Sequence, residues 1–154
     1  MTVGSVRAAR TLFVTETMFD SITSLAELAE TVRRYGRLYV RYSEGPQGDR
    51  EGSVDTESGL PLPGLSANPL HAQPWWTREL EDWLARQVCQ YRELAEKNPD
   101  RFAWVLSGTE AGRGPDCEPL VRAVVPIAKL DRALLDEAAH RYETRFDAGH
   151  GPED

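Results

Sequence analysis

The chain has 154 residues, of which 40% are hydrophobic and 28% are charged, a balance typical of a globular protein with one apolar core. Its formal net charge of -7 opposes binding to a nucleic-acid polyanion. No apolar run approaches the roughly 20 residues of a membrane-spanning helix. We therefore expect a cytoplasmic protein without nucleic-acid or membrane partners.

The domain boundaries follow from where hydrophobic periodicity begins and ends. Residues 1–20 show no sustained periodicity, and we expect a flexible N-terminal extension. Residues 147–154 read DAGHGPED, a polar tail that we expect to be disordered. The sequence therefore predicts one domain, over residues 21–146.

The first predicted elements are a helix and a strand. Ser24 and Glu27 have the spacing of a capping box, and Gly36 is a typical residue to end the helix that follows. The next segment, RLYVRYS, alternates between apolar and polar residues. This alternation predicts a half-buried strand that carries Tyr39 and Arg41 on one face.

A long irregular segment separates this strand from the next helix. Residues Glu44 to Leu70 are rich in proline, glycine and acidic side chains, which predicts a central loop. Pro74 is expected to open a long helix that ends at Asn98, because Trp76, Leu80, Trp83, Leu84 and Val88 recur at helical spacing.

The C-terminal part predicts a hairpin followed by a helix. Phe102 to Ser107 and Leu120 to Ile127 are strand-like, and Pro126 favours an edge position or a bulge. Asp131 is a suitable cap for the last helix. The fold class predicted is α+β: a small mixed or antiparallel sheet, three helices, a long central loop, and a C-terminal hairpin plus helix.

Common catalytic and metal-binding signatures are absent. The sequence contains no phosphate-binding or dinucleotide-binding glycine motif and no nucleophile elbow. Its three histidines and two cysteines are scattered, so we expect free thiols and no metal site. The residues by themselves give no reason to expect a cofactor.

Four strings, YVRYSEGP, LPGLSANPL, PWWTRELEDWLARQ and GRGPDCEPLV, resemble a family of small actinobacterial proteins of unknown function. The resemblance spans Ser21 to Phe146 and implies a shared family fold. It implies no activity.

Three residues in chain order also resemble the Arg-Ser-Glu signature of one ADP-ribosyltransferase clade. That resemblance implies that Arg41 holds the phosphates of NAD, Ser66 orients its nicotinamide ribose, and Glu118 stabilises the charge that develops on that ribose. Asp116 takes the accessory acidic position. The chain departs from the family pattern after Ser66, where Ala67 and Asn68 replace the usual threonine and serine.

These observations leave two main hypotheses. The first is a non-enzymatic accessory or regulatory protein that binds a small molecule or a protein partner through the central loop, Trp75 and the hairpin tip. The alternative is an ADP-ribosyltransferase-like enzyme, and NAD is expected as a cofactor only in that case. Five residues are predicted to contact the ligand: Tyr39, Asn68, Trp75, Arg113 and Asp116. A nucleic-acid-binding module using the N-terminal arginines is the third possibility, opposed by the acidic net charge.

Overall fold

The computed structural model describes residues 20–49 and 62–146. The predicted extension, apart from Asp20, and the predicted tail lie outside these ranges, as do residues 50–61 of the central segment. None of the helices in the described part of the chain combines the length and the apolar character that a bilayer crossing requires.

Three helical segments were predicted, and residues 20–49 and 62–146 contain three, the second of them in two pieces. The helices are α1 (Leu25–Tyr35), α2 (Leu80–Val88), α3 (Gln90–Lys97) and α4 (Arg132–Phe146), with a turn at Cys89 between α2 and α3. Ser24 and Gly36 end α1 as predicted: the Glu27 amide donates to the Ser24 hydroxyl, and Gly36 closes the helix with a φ of 86°. The Glu27 carboxylate accepts from the Thr23 amide, so the second bond of the box comes from one residue earlier than predicted. Asp131 accepts a hydrogen bond from the Ala133 amide at the start of α4.

The second helix begins at Leu80 rather than at Pro74, and this part of the prediction was wrong. The Trp76 amide donates to the Gln73 carbonyl, and its indole N–H donates to the Glu79 carbonyl. Packing of the Trp76 ring against Trp83 holds these residues in turns, so aromatic packing overrides the local preference for a helix.

Six strands form one curled, mixed sheet in the order β1-β6-β5-β2-β4, and β3 pairs separately with β6. The strands are β1 (Ser21–Ile22), β2 (Tyr39–Ser43), β3 (Leu65–Ser66), β4 (Asn68–Pro69), β5 (Phe102–Arg113) and β6 (Pro119–Leu130). Among the strands of the described residues, β1 and β6 are the one parallel pair. The long β5 and β6 hairpin carries three register shifts, and the one beside Pro126 is the predicted bulge. The fold is therefore α+β.

The central segment is not entirely irregular, because it contributes β3 and β4. Leu65 and Ser66 pair with β6, whereas Asn68 and Pro69 pair with β2, and only Ala67 separates the two strands. The Ala67 amide continues the first ladder by donating to the Pro119 carbonyl, and the Leu70 amide continues the second by donating to Leu38. Five residues thus join the two free edges of the sheet. This pairing requires the sheet to curl.

Curling gives the sheet two apolar cores. The larger core lies between the sheet and the helices and contains Val40, Trp83, Val105 and Leu134. The described residues of the smaller core come from strands and the central segment, among them Tyr39, Trp104, Leu106 and Val121. The strand β2 was predicted to be half buried, but Tyr39 and Val40 are 1% and 0% exposed, so both of its faces are covered.

Gly108 provides a test of the curl. It lies opposite Ala123 and Val124, where two residues of β6 face one of β5. A Cβ atom at Gly108 would lie 2.7 Å from the Arg122 carbonyl oxygen and would overlap the Val121 side chain. We expect Gly108→Ala to lower the free energy of unfolding by about 1–3 kcal/mol in urea denaturation.

The control is Gly48→Ala, because the nearest atom to a Cβ there is 3.4 Å away. We expect this variant to stay within about 0.5 kcal/mol of the wild type. Equal stability of the two variants would contradict the close approach of β5 and β6.

Candidate functional site

A hydrogen-bonded group of five residues joins the central segment to the sheet, and we call it the Arg41 network. Its members are Arg41 and Ser43 on β2, Asp49 in the central segment, Ser66 on β3 and Glu118 at the hairpin tip. Four different parts of the chain meet here.

Arg41 is the centre of this network. Its Nε and Nη2 atoms donate to the two carboxylate oxygens of Asp49 at 2.7 and 3.1 Å, and its Nη1 donates to the Ser66 carbonyl at 2.7 Å. The Arg41 and Asp49 side chains are only 19% and 10% exposed. The planar guanidinium suits this two-pronged contact, which ties Asp49 and β3 to β2.

Ser43 completes the Asp49 side of the network. Its hydroxyl donates to Asp49 Oδ2 and accepts from the Gly45 amide and from Nε1 of Trp104. One donor and two acceptor sites are the full capacity of a hydroxyl. The buried Ser43 therefore has all of its hydrogen bonds and connects the network to the smaller core.

Glu118 completes the Ser66 side of the Arg41 network. Its Oε2 atom accepts from the Ser66 hydroxyl at 2.8 Å, and its Oε1 atom accepts from the Asp116 amide at 3.0 Å. Desolvation raises the pKa of Glu118, but these two hydrogen bonds and one from its own backbone amide outweigh it, so the pKa lies below its usual value. The carboxylate form thus stabilises the hairpin tip.

The structure therefore brings together Arg41, Ser66 and Glu118, the three residues predicted to be catalytic. Arg41 contacts the backbone of Ser66, and the side chain of Ser66 contacts Glu118. Their polar groups are directed at one another and at Asp49. A role in holding NAD phosphates would require Arg41 to exchange these partners for the ligand.

The residues predicted to contact a ligand are distributed over several places. Asp116 joins the network through its backbone amide, and Asn68 donates from Nδ2 to the Tyr91 hydroxyl on α3 at 2.9 Å. Trp75 lies on the helical side of the protein, where its ring contacts Trp76 and Trp83.

Tyr39 and Arg113 meet at Glu110, on β5. The Tyr39 hydroxyl donates to Glu110 Oε2 at 2.8 Å, and Arg113 Nη2 lies 3.7 Å from the other carboxylate oxygen. Burial, followed by the hydrogen bond to Glu110, raises the pKa of Tyr39. This tyrosine is thus a hydrogen-bond donor across the physiological pH range.

A cavity of about 420 Å³ adjoins the Arg41 network at Asp49. Central-segment and sheet residues form its walls, and polar atoms make up about half of the exposed wall surface. Most of the lining residues have apolar side chains or none: Pro46, Leu62, Pro63, Gly64, Leu65, Trp104, Val121, Ala123, Val124 and Pro126. Asp49 and Arg122 are the charged residues among those that line it. None of Arg41, Ser66 and Glu118 is among the residues that line it.

Sequence reasoning missed this cavity, although it predicted one feature of its wall. Pro126 indicated an irregular strand, and the register of β6 is indeed shifted there and again at Ala123 and Val124. Ala123 has a φ of 54°, a left-handed conformation that is uncommon for alanine. The opposing wall comes from the central segment, whose position no local pattern indicated.

Within the described ranges, no group of three or more histidine, cysteine, aspartate or glutamate side chains could hold a metal ion. Cys89 and Cys117 are free thiols. The candidate site consists of the Arg41 network and the cavity beside it.

The chain belongs to a family of unknown function (DUF6098), whose model matches residues 15–151. A search of curated proteins and a search of solved structures each found no significant match. The family membership agrees with the resemblance found in the sequence, while the ADP-ribosyltransferase similarity has no support from these comparisons.

The contact between Arg41 and Asp49 can be measured with a double-mutant cycle of Arg41→Met and Asp49→Asn. Because the pair is largely buried, we expect a coupling of about 1–3 kcal/mol in the free energy of unfolding. The matched control is Arg92 and Asp136, an exposed pair at 3.0 Å, for which we expect less than about 1 kcal/mol. Equal couplings in the two pairs would contradict the conclusion that burial strengthens the contact between Arg41 and Asp49.

The lowered pKa of Glu118 predicts a dependence of stability on pH. Its contribution is complete above the usual value of 4.5 and is lost as the pH falls through the lower pKa of the folded state. We expect Glu118→Gln and Ser66→Ala each to reduce the slope of the free energy of unfolding against pH on the acid side. The reduction should correspond to less than about one proton taken up on unfolding. Urea denaturation between pH 3 and 6 measures it, and an unchanged slope in both variants would contradict the contact.

Proposed function

We propose that this member of a family of unknown function is a non-enzymatic accessory or regulatory protein that binds a small molecule in the cavity beside Asp49. The observation that carries the proposal is the cavity itself, with a volume of about 420 Å³, lining residues that are mainly of apolar type, and two charged residues. Small-molecule sites commonly combine these properties.

The walls and the charges favour a ligand that has both an apolar part and an acidic group. Leu62, Pro63 and Val124, which are partly or fully exposed, offer apolar surface. Asp49 is already paired with Arg41 and Ser43, so its charge is neutralised within the protein. Arg122 has no ion-pair partner within the described part of the chain, which leaves its guanidinium available for an anion.

The backbone beside the cavity supports the same proposal. Ala123 adopts a left-handed conformation on the wall, in a strand whose register is shifted at that point. Strained residues of this kind persist where the surrounding structure holds them, and they often lie at binding sites.

The ADP-ribosyltransferase alternative has one favourable observation, the proximity of Arg41, Ser66 and Glu118. Against it, the Arg41 guanidinium makes three hydrogen bonds to Asp49 and Ser66. A cofactor phosphate would have to displace these contacts. Binding without catalysis requires no such change, and we therefore prefer it.

The proposal includes a cytoplasmic location and excludes nucleic-acid partners. The net charge of -7 supports the second statement, because a polyanion would be repelled by the protein as a whole.

The cavity can be tested with 8-anilinonaphthalene-1-sulfonate, whose aromatic rings and sulfonate match the walls and Arg122. We expect saturable binding to the folded protein, weakened about tenfold or more in Val124→Trp, because the indole would fill the cavity. Arg122→Gln should weaken binding several-fold and reduce its dependence on salt.

The matched control is Val125→Trp, since Val125 is the next residue along the strand, is 53% exposed and does not line the cavity. Its affinity should stay within about twofold of the wild type. Equal binding by both tryptophan variants would overturn the cavity as the site. Release of nicotinamide from NAD that disappears in Glu118→Gln would instead support the enzymatic alternative.

A further inference from the structure

A second candidate surface lies on the helices and belongs to the larger core. We call it the Trp75 surface and define it by Trp75, Trp76, Trp83, Arg86 and Phe146. Trp75 is 62% exposed, and its ring makes edge-on contacts with Trp76 and Trp83 at centroid distances of 6.0 and 5.6 Å. Trp83 is buried beneath it. An indole this exposed, held by two others, presents rigid apolar area to a partner.

Arg86 supplies this surface with positive charge. Its Cζ atom lies 5.6, 6.0 and 5.3 Å from the ring centroids of Trp75, Trp76 and Trp83. It forms no salt bridge within the described ranges, and the one hydrogen bond that its guanidinium makes there is to the neutral side chain of Gln87. The rings therefore position a guanidinium whose charge is not neutralised by a carboxylate.

The arginines around the Trp75 surface outnumber the carboxylates. Asp82, which is buried, contacts Arg78, Arg141 and Arg145, and the second carboxylate, Glu79, also contacts Arg141. A third carboxylate, Glu81, also acts on Arg141 and lies 3.7 Å from Arg33. Together with Arg86, five guanidinium groups thus face three carboxylates. In a chain with a net charge of -7, this surface is locally positive.

We propose that the Trp75 surface docks an acidic segment of a partner protein that carries an apolar side chain beside its carboxylates. The apolar side chain would pack on Trp75, and a carboxylate would pair with Arg86. Exposed tryptophan and arginine are the residue types that most often dominate the affinity of protein interfaces. The surplus of positive charge selects an acidic partner rather than a basic one.

The test uses a random peptide library displayed on phage and selected on the full chain, with no prior choice of sequence. We expect enriched peptides to contain aspartate or glutamate next to an apolar residue. Synthetic copies should bind the wild type with an affinity that falls as salt is added. Trp75→Ala should lose about tenfold or more of that affinity, and Arg86→Gln several-fold.

Two control variants test whether peptide binding depends on the Trp75 surface in particular. Tyr35→Ala removes another exposed aromatic ring, 49% exposed on α1, and should bind the peptides like the wild type. Val124→Trp, which fills the cavity, should also bind them normally, so this proposal can fail or succeed independently of the proposed ligand site. Thermal unfolding of Trp75→Ala should resemble that of the wild type.

The proposal is overturned if no peptide is enriched, if the enriched peptides are basic, or if Trp75→Ala binds them with unchanged affinity. Dimerisation in sedimentation that Trp75→Ala abolishes would also overturn it, because a second copy would then be the occupant. Tighter binding of single-stranded oligonucleotides than of peptides would assign the surface to base stacking instead.

Discussion

The pairing of residues 65–69 with both free edges of the sheet is the constraint on which the rest of this structure depends. Ala67 alone separates the residues bonded to β6 from those bonded to β2. Two edges can be joined over so short a distance only if the sheet curls. Gly108 permits that curl where β5 and β6 approach closely, and the register shifts increase it. The second core exists because the curled sheet encloses apolar side chains on the face away from the helices.

The same pairing explains why the Arg41 network forms. Once Ser66 is fixed beside β6, its carbonyl lies within reach of Arg41 and its hydroxyl within reach of Glu118. These contacts satisfy buried polar groups that would otherwise be costly. The network thus holds the central segment in place, and the cavity beside Asp49 lies between that segment and the irregular part of β6.

The two proposed sites use different layers of the protein. The cavity borders the core formed by strands, whereas the Trp75 surface belongs to the core formed with the helices. β2 connects them, since Tyr39 and Val40 point into opposite cores. An accessory protein could therefore hold a small molecule on one side and a partner on the other without either site blocking the other.

The sequence by itself determined the features that depend on residues close to one another along the chain. Capping at Ser24, the glycine end at residue 36, the irregularity at Pro126 and the cap at Asp131 are local interactions, and the α+β class follows from their order. Tertiary structure decided what depends on distant partners. The helix begins at Leu80 because Trp76 packs against Trp83, and β3 and β4 are strands only because other strands meet them. A resemblance in the sequence suggested that Arg41, Ser66 and Glu118 lie together. The pairing of Arg41 with Asp49 and the cavity beside it are seen only in the folded chain. Such hydrogen bonds and cavities form between segments that no local sequence pattern relates.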